Sequence, residues 1–155
     1  MGIIMIIETR DFGTVEIEDE KVIHFPQGIP GFDEYKDYVI LYDRDGEEQE
    51  FFSWLQCATE QRLAFPVVDP FHLMDTYNPM IEDDLLEPLG EFTDEDLMVL
   101  LLATVPADVK KTSVNMKAPI LINVRNHQAM QVIVENDDYQ IKHMLIAEDK
   151  ELPEN

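Results

Sequence analysis

Cys57, His24, His72, His127 and His143 are the side chains of this sequence whose types could carry nucleophilic or metal chemistry. Nucleophilic catalysis needs a thiol or hydroxyl, a base within hydrogen-bond reach and donors aimed at the developing oxyanion. The residues around Cys57 match no catalytic-cysteine signature, and the histidines are scattered along the chain. His72 with Asp69 and Asp75 is the best available ligand set, and it would support a metal-dependent, cupin-like enzyme. Its spacing fits neither a zinc nor an EF-hand pattern. Gly28 and Gly31 lie between prolines in Phe25-Pro26-Gln27-Gly28-Ile29-Pro30-Gly31-Phe32, whereas a phosphate loop places its glycines at a strand-to-helix turn. The residues point away from an enzyme, and no cofactor or metal is expected.

Protein recognition is better supplied. Residues 69–78 mix Asp69 and Asp75 with Phe71, Met74, Tyr77 and Asn78, a composition suited to a protein contact, although a solvated connection would look similar. The loop at 26–32 could present Ile29 and Phe32, stiffened by its prolines so that little entropy is lost on binding. Its alternative is a folded-over turn in which Phe32 is buried. Asn115 and Lys117, beside Ala118-Pro119, could shape an edge that a partner covers, or could simply bend a strand pair. Glu82, Asp83 and Asp84 open the densest acidic stretch, which either steers a basic partner or forms a solvated face. Trp54, among Phe51, Phe52 and Leu55, is expected in the core with its indole N–H satisfied inside, and Met116, Met130 and Met144 are expected as core gap-fillers.

These residues must be positioned by strands. Residues 3–9 and 14–17 are β-branched runs flanking Asp11-Phe12-Gly13, the pattern of a hairpin, and 22–25 continue it. Strands are also predicted at 38–42, 51–56 and 63–68. Asp43-Arg44-Asp45-Gly46 separates the first two, and Asp69-Pro70 ends the third. Residues 71–91 read as irregular, with at most one short helix before Pro88-Leu89-Gly90, and Thr93-Asp94-Glu95-Asp96 could cap a turn. An apolar run at 97–105 has strand length, residues 112–116 and 118–124 are strands parted at Pro119, and 128–134 alternate as one more. Many short strands separated by turn signals make an all-β, compact barrel-like or sandwich domain with one or two short helices. The domain is predicted over 1–147, with 148–155 a frayed acidic tail.

The balance of 33 acidic against 11 basic residues gives a net charge of −22 on a chain that is 45% hydrophobic. This is a folded acidic protein, repelled by nucleic acid and anionic lipid and attracted to basic proteins. The single cysteine excludes an internal disulfide and fits a reducing cytoplasm. The apolar start at residues 3–7 is too short for a membrane span or signal core, and Ile6 stands where a myristoylation signal wants Ser or Thr. A monomer is expected when free.

Four phrases taken together resemble the flagellar assembly factor FliW family: the 25–32 phrase above, Trp54-Leu55-Gln56, Leu63-Ala64-Phe65-Pro66-Val67-Val68-Asp69-Pro70, and Val114-Asn115-Met116-Lys117-Ala118-Pro119-Ile120. Ile7-Glu8-Thr9-Arg10-Asp11-Phe12-Gly13 also fits, so the resemblance spans nearly the whole chain in order. It implies a β-barrel-like fold and a cytoplasmic role in which the protein binds the RNA-binding regulator CsrA and relieves its repression of flagellin translation. Flagellin is then the competing partner. A flagellin chaperone with no translational role is the alternative.

Overall fold

The structure is a computed structural model that describes residues 2–42 and 52–145. The turn read at 43–46, the first residue of the 51–56 strand and the tail at 148–155 lie outside the described residues.

The all-β expectation is met by a closed barrel of seven strands. Its members are β3 (Ile23–His24), β4 (Asp37–Tyr42), β5 (Ser53–Cys57), β6 (Ala64–Val68), β7 (Leu97–Thr104), β9 (Ile120–Asn123) and β10 (Gln128–Gln131). The ladder runs β7-β6-β5-β4-β3-β10-β9 and closes by pairing β9 back onto β7. Every junction is antiparallel except β3 with β10, a parallel contact made at one pair, His24 and Gln128. Closure removes most free strand edges, which is how a small all-β protein avoids pairing with other chains.

The period-2 alternation of the strands decides which side chains fill the barrel. Tyr38, Leu55, Cys57, Val67, Leu100, Ile120, Ile122 and Ala129 point inward and join Phe25 and Ile29 in one buried cluster. Val39, Leu41 and Trp54, on the opposite face of the same wall, are covered by an outer hairpin of β1 (Ile4–Glu8) and β2 (Thr14–Glu18). Trp54 therefore departs from the sequence reading. It is half-buried on the barrel's outer surface, with the Arg10 guanidinium 5.9 Å from its ring centre. Met116 and Met130 are buried, as a gap-filling role requires.

The eight residues of β7 serve three partners in succession. Leu97 to Leu100 pair with β9, Leu101 and Leu102 with β6, and Ala103 and Thr104 with β8 (Ser113–Val114), which in turn carries β11 (His143–Met144). β8 and β9 thus share one edge of β7, parted by the turn at 115–119. That turn is why the strand expected at 112–116 shortens to two residues. The strand expected at 128–134 also leaves the regular ladder after Gln131, although Val132 and Val134 still donate to Pro119 and Lys117 carbonyls. Among the described residues one helix exceeds three residues, a 3-10 segment in keeping with the one or two short helices expected, and four single 3-10 turns accompany it. Glu87-Pro88 falls inside the longest, Asp83–Leu89, where the proline's missing N–H disfavours a regular α-helix.

Candidate protein-docking site

The segment after β6 was read as irregular, yet backbone and side-chain bonds hold it firmly. Asp69 accepts the Phe71 N–H at 2.9 Å and caps a 3-10 turn, Pro70–His72, with proline at its first position. The chain then turns in, and Tyr77 is only 3% exposed. Its hydroxyl donates to the Met116 carbonyl at 3.0 Å, and its ring stacks on Tyr139 with centroids 4.9 Å apart. Burial, and next the neighbouring Tyr139, push its phenol well above the ordinary value of 10.0.

Three segments distant in sequence meet around Tyr77. The Asn115 side chain accepts the Lys117 and Ala118 N–H groups and fixes the first of them, the turn after β8. Lys117 Nζ reaches across to the Asn136 carbonyl at 2.6 Å. Asn136 accepts the Met80 N–H at 2.7 Å and donates to the Asn78 carbonyl at 3.0 Å, while the Asn78 N–H donates to the Tyr139 hydroxyl. The second segment, 69–80, is thereby clamped between the 115–118 turn and the third, 136–139. On this frame Phe71 is 50% and Met80 55% exposed. Phe71 leans edge-on against Tyr77. Two apolar side chains on a fixed backbone can contact another protein with little ordering entropy to lose.

The acidic stretch starts beside this platform. Glu82, Asp83 and Asp84 are exposed two to four residues beyond Met80. The 3-10 segment they open is pinned by Leu89, buried against Leu121, Met130 and Val132. Asn123 and Asn126 both donate to the Leu89 carbonyl. The cap that the sequence suggested at Thr93 to Asp96 forms there, the Thr93 N–H and hydroxyl both donating to the Asp96 carboxylate.

The structure brings Asp69, Phe71, Asn78, Asn115 and Lys117 into one region, with exposed Asp75 on the same loop. Tyr77 belongs to it as a buried organiser, which corrects the expectation that it is a surface contact. Ile29 is also corrected. Gly28, at φ +71, turns the chain so that Ile29 enters the base of the barrel and is 2% exposed. Its pairing with Phe32 makes 26–32 a folded-over turn, and Phe32, partly exposed, rests edge-on against Phe65. Asn136, Tyr139 and Met80 were missed, because an amide and a tyrosine in an acidic stretch carry no periodic or motif signal. Asp69 is engaged in its cap, and among the described residues no three His, Cys, Asp or Glu side chains gather as a metal site.

A family model described as FliW protein matches residues 6–145. The chain is 44% identical over 139 residues to the flagellar assembly factor FliW of Lachnoclostridium phytofermentans, covering 90% of this chain and 89% of that one. It is 38% identical over 140 residues to the protein of the same name from Lachnospira eligens, covering 90% and 93%. The corresponding Treponema denticola protein is 36% identical over 144 residues, covering 93% and 95%. A crystal structure of a flagellar assembly factor FliW superposes with a TM-score of 0.83 at 34% identity, over 94% of this chain and 99% of that one.

Proposed function

The chain belongs to the FliW family, whose members are assembly factors and not enzymes, and from that premise we propose that it acts in the cytoplasm by binding CsrA and lifting its repression of flagellin translation, with flagellin as the competing partner. The observation that carries this reading is the juxtaposition on one frame of exposed apolar anchors, Phe71 and Met80, with the Glu82, Asp83 and Asp84 carboxylates. A basic RNA-binding protein would be drawn in by the acids and held by the anchors. An acidic protein bound to it also opposes the approach of RNA phosphates.

The partners are tested by calorimetric titration with CsrA from the same organism, at low and high salt, repeated with excess flagellin. Binding that weakens with salt and is lost with flagellin supports the switch. Binding to flagellin with no heat from CsrA favours a chaperone, and silence with both rejects the proposal.

A further inference from the structure

The outer hairpin is a sheet of two strands, and among the described residues neither edge pairs with a further strand; the β2 edge is lined by Glu16 and Glu18, the β1 edge by isoleucines. Asp19 N–H donates to the Ile3 carbonyl and Thr9 N–H to the Gly13 carbonyl, which sets the parity of the β1–β2 ladder. Ile3, Met5, Ile7 and Thr9 therefore exchange bonds with β2, and the N–H and C=O groups of Ile4, Ile6 and Glu8 point the other way. Among the described residues no strand pairs with that side of β1. Among the described residues it closes at Arg10, whose N–H donates to Gln56 Oε1.

The side chains on this stretch are unusual for an edge. Met5 and Ile7 face the barrel, while Ile4 is 52% and Ile6 61% exposed, with Ile3 exposed beside them. Natural edge strands are usually blunted by lysine, proline, a bulge or an inward charge, and residues 3–7 of this one hold none of these. Across the ladder Ile4 faces Glu18 and Ile6 faces Glu16, both exposed, and Asp19 and Glu20 follow.

We propose that the β1 edge is a second docking surface, distinct from the Phe71–Met80 platform, which takes an extended basic segment of another protein as the third strand of the hairpin. Backbone pairing to Ile4, Ile6 and Glu8 supplies the register, and the isoleucines supply apolar contact. The charge chooses the occupant. A strand added to β1 lies two strand spacings, about 10 Å, from the Glu16 and Glu18 row, which is about one Debye length at moderate salt. A second copy of this chain would bring the same carboxylates and its own net charge of −22, whereas a lysine-bearing segment is attracted.

The test titrates the full chain with a blocked peptide of alternating lysine and valine, followed by amide hydrogen exchange. Saturable binding is expected, weakened by high salt, with exchange at Ile4, Ile6 and Glu8 slowed by about tenfold or more and no new protection at Met5 and Ile7. Ile6→Pro removes an outward N–H without touching a β1–β2 bond. The double variant Ile4→Lys, Ile6→Lys alters only exposed side chains and repels the peptide. Either variant, folded by circular dichroism, should abolish binding. Equal binding of a glutamate–valine peptide, protection elsewhere than β1, no binding by the lysine–valine peptide, or dimerisation of the free chain through β1 would each overturn the proposal.

Discussion

Asn136 ties two strangers in sequence together, since its one amide holds the backbone of Asn78 and of Met80. Asn136→Ala should lower stability by about 1 kcal/mol in chemical denaturation. The Met80 amide should exchange faster and, if the platform docks CsrA as proposed, the affinity for it should fall. Tyr38 poses the opposite case, because its hydroxyl is buried in the barrel with no hydrogen-bond partner among the described residues. Tyr38→Phe should therefore be neutral or stabilise by up to about 1 kcal/mol, read from the same denaturation curves. Burial holds both Tyr38 and Tyr77 above the ordinary phenol value of 10.0. Above pH 10 the unfolded chain releases these protons while the folded chain keeps them, so the unfolded state binds fewer protons. The contribution is complete below that pH and is lost as pH rises beyond it, and thermal melts from pH 9 to 11.5 should show Tm falling only in the alkaline part. The Phe-Pro-Gln-Gly-Ile-Pro phrase made the glycine turn legible, but the direction in which Ile29 pointed depended on the barrel base it entered.

At the scale of elements, the weakest joint is the barrel's only parallel contact. β3 has two residues, and β10 meets it at one pair. By contrast β4 and β5 pair at five positions and β5 and β6 at four, antiparallel over a shared core. β4 also outruns β3, which pairs only with Asp37 and Tyr38 because the chain enters β3 from the Asp19–Lys21 turn. Beyond that point a cleft of about 670 Å³ opens, lined by Ile40, Leu41, Met98 and Ile122 together with β2. Native-state hydrogen exchange should show the β3–β10 seam opening at lower free energy than β4 to β7. Equal protection around the ring would show that closure is uniform. Strand positions were legible because alternation and turn residues are local signals. The ends of β8 and β10 were not, since each is set by where a neighbour stops pairing.

For the whole molecule, the net charge of −22 is a property of composition, but its placement is a property of the fold. If the platform captures a basic partner, replacing Glu82 with Gln and Asp83 and Asp84 with Asn should lower the association rate several-fold at low salt and change dissociation little, as stopped-flow mixing would show. A change confined to dissociation would place those acids in the contact itself. The sequence by itself determined the all-β class, because a period of two is imposed by the strand backbone whatever the strand packs against. The ordered phrases around Pro26, Trp54, Pro66 and Asn115 determined the family as well, before any coordinate. Only the tertiary structure decided that Tyr77 lies inside and Phe71 and Met80 outside, and that residues 115–118 and 136–139 clamp the loop between them. Such contacts join positions some forty to sixty residues apart, and they depend on how the barrel closes, which no local pattern encodes.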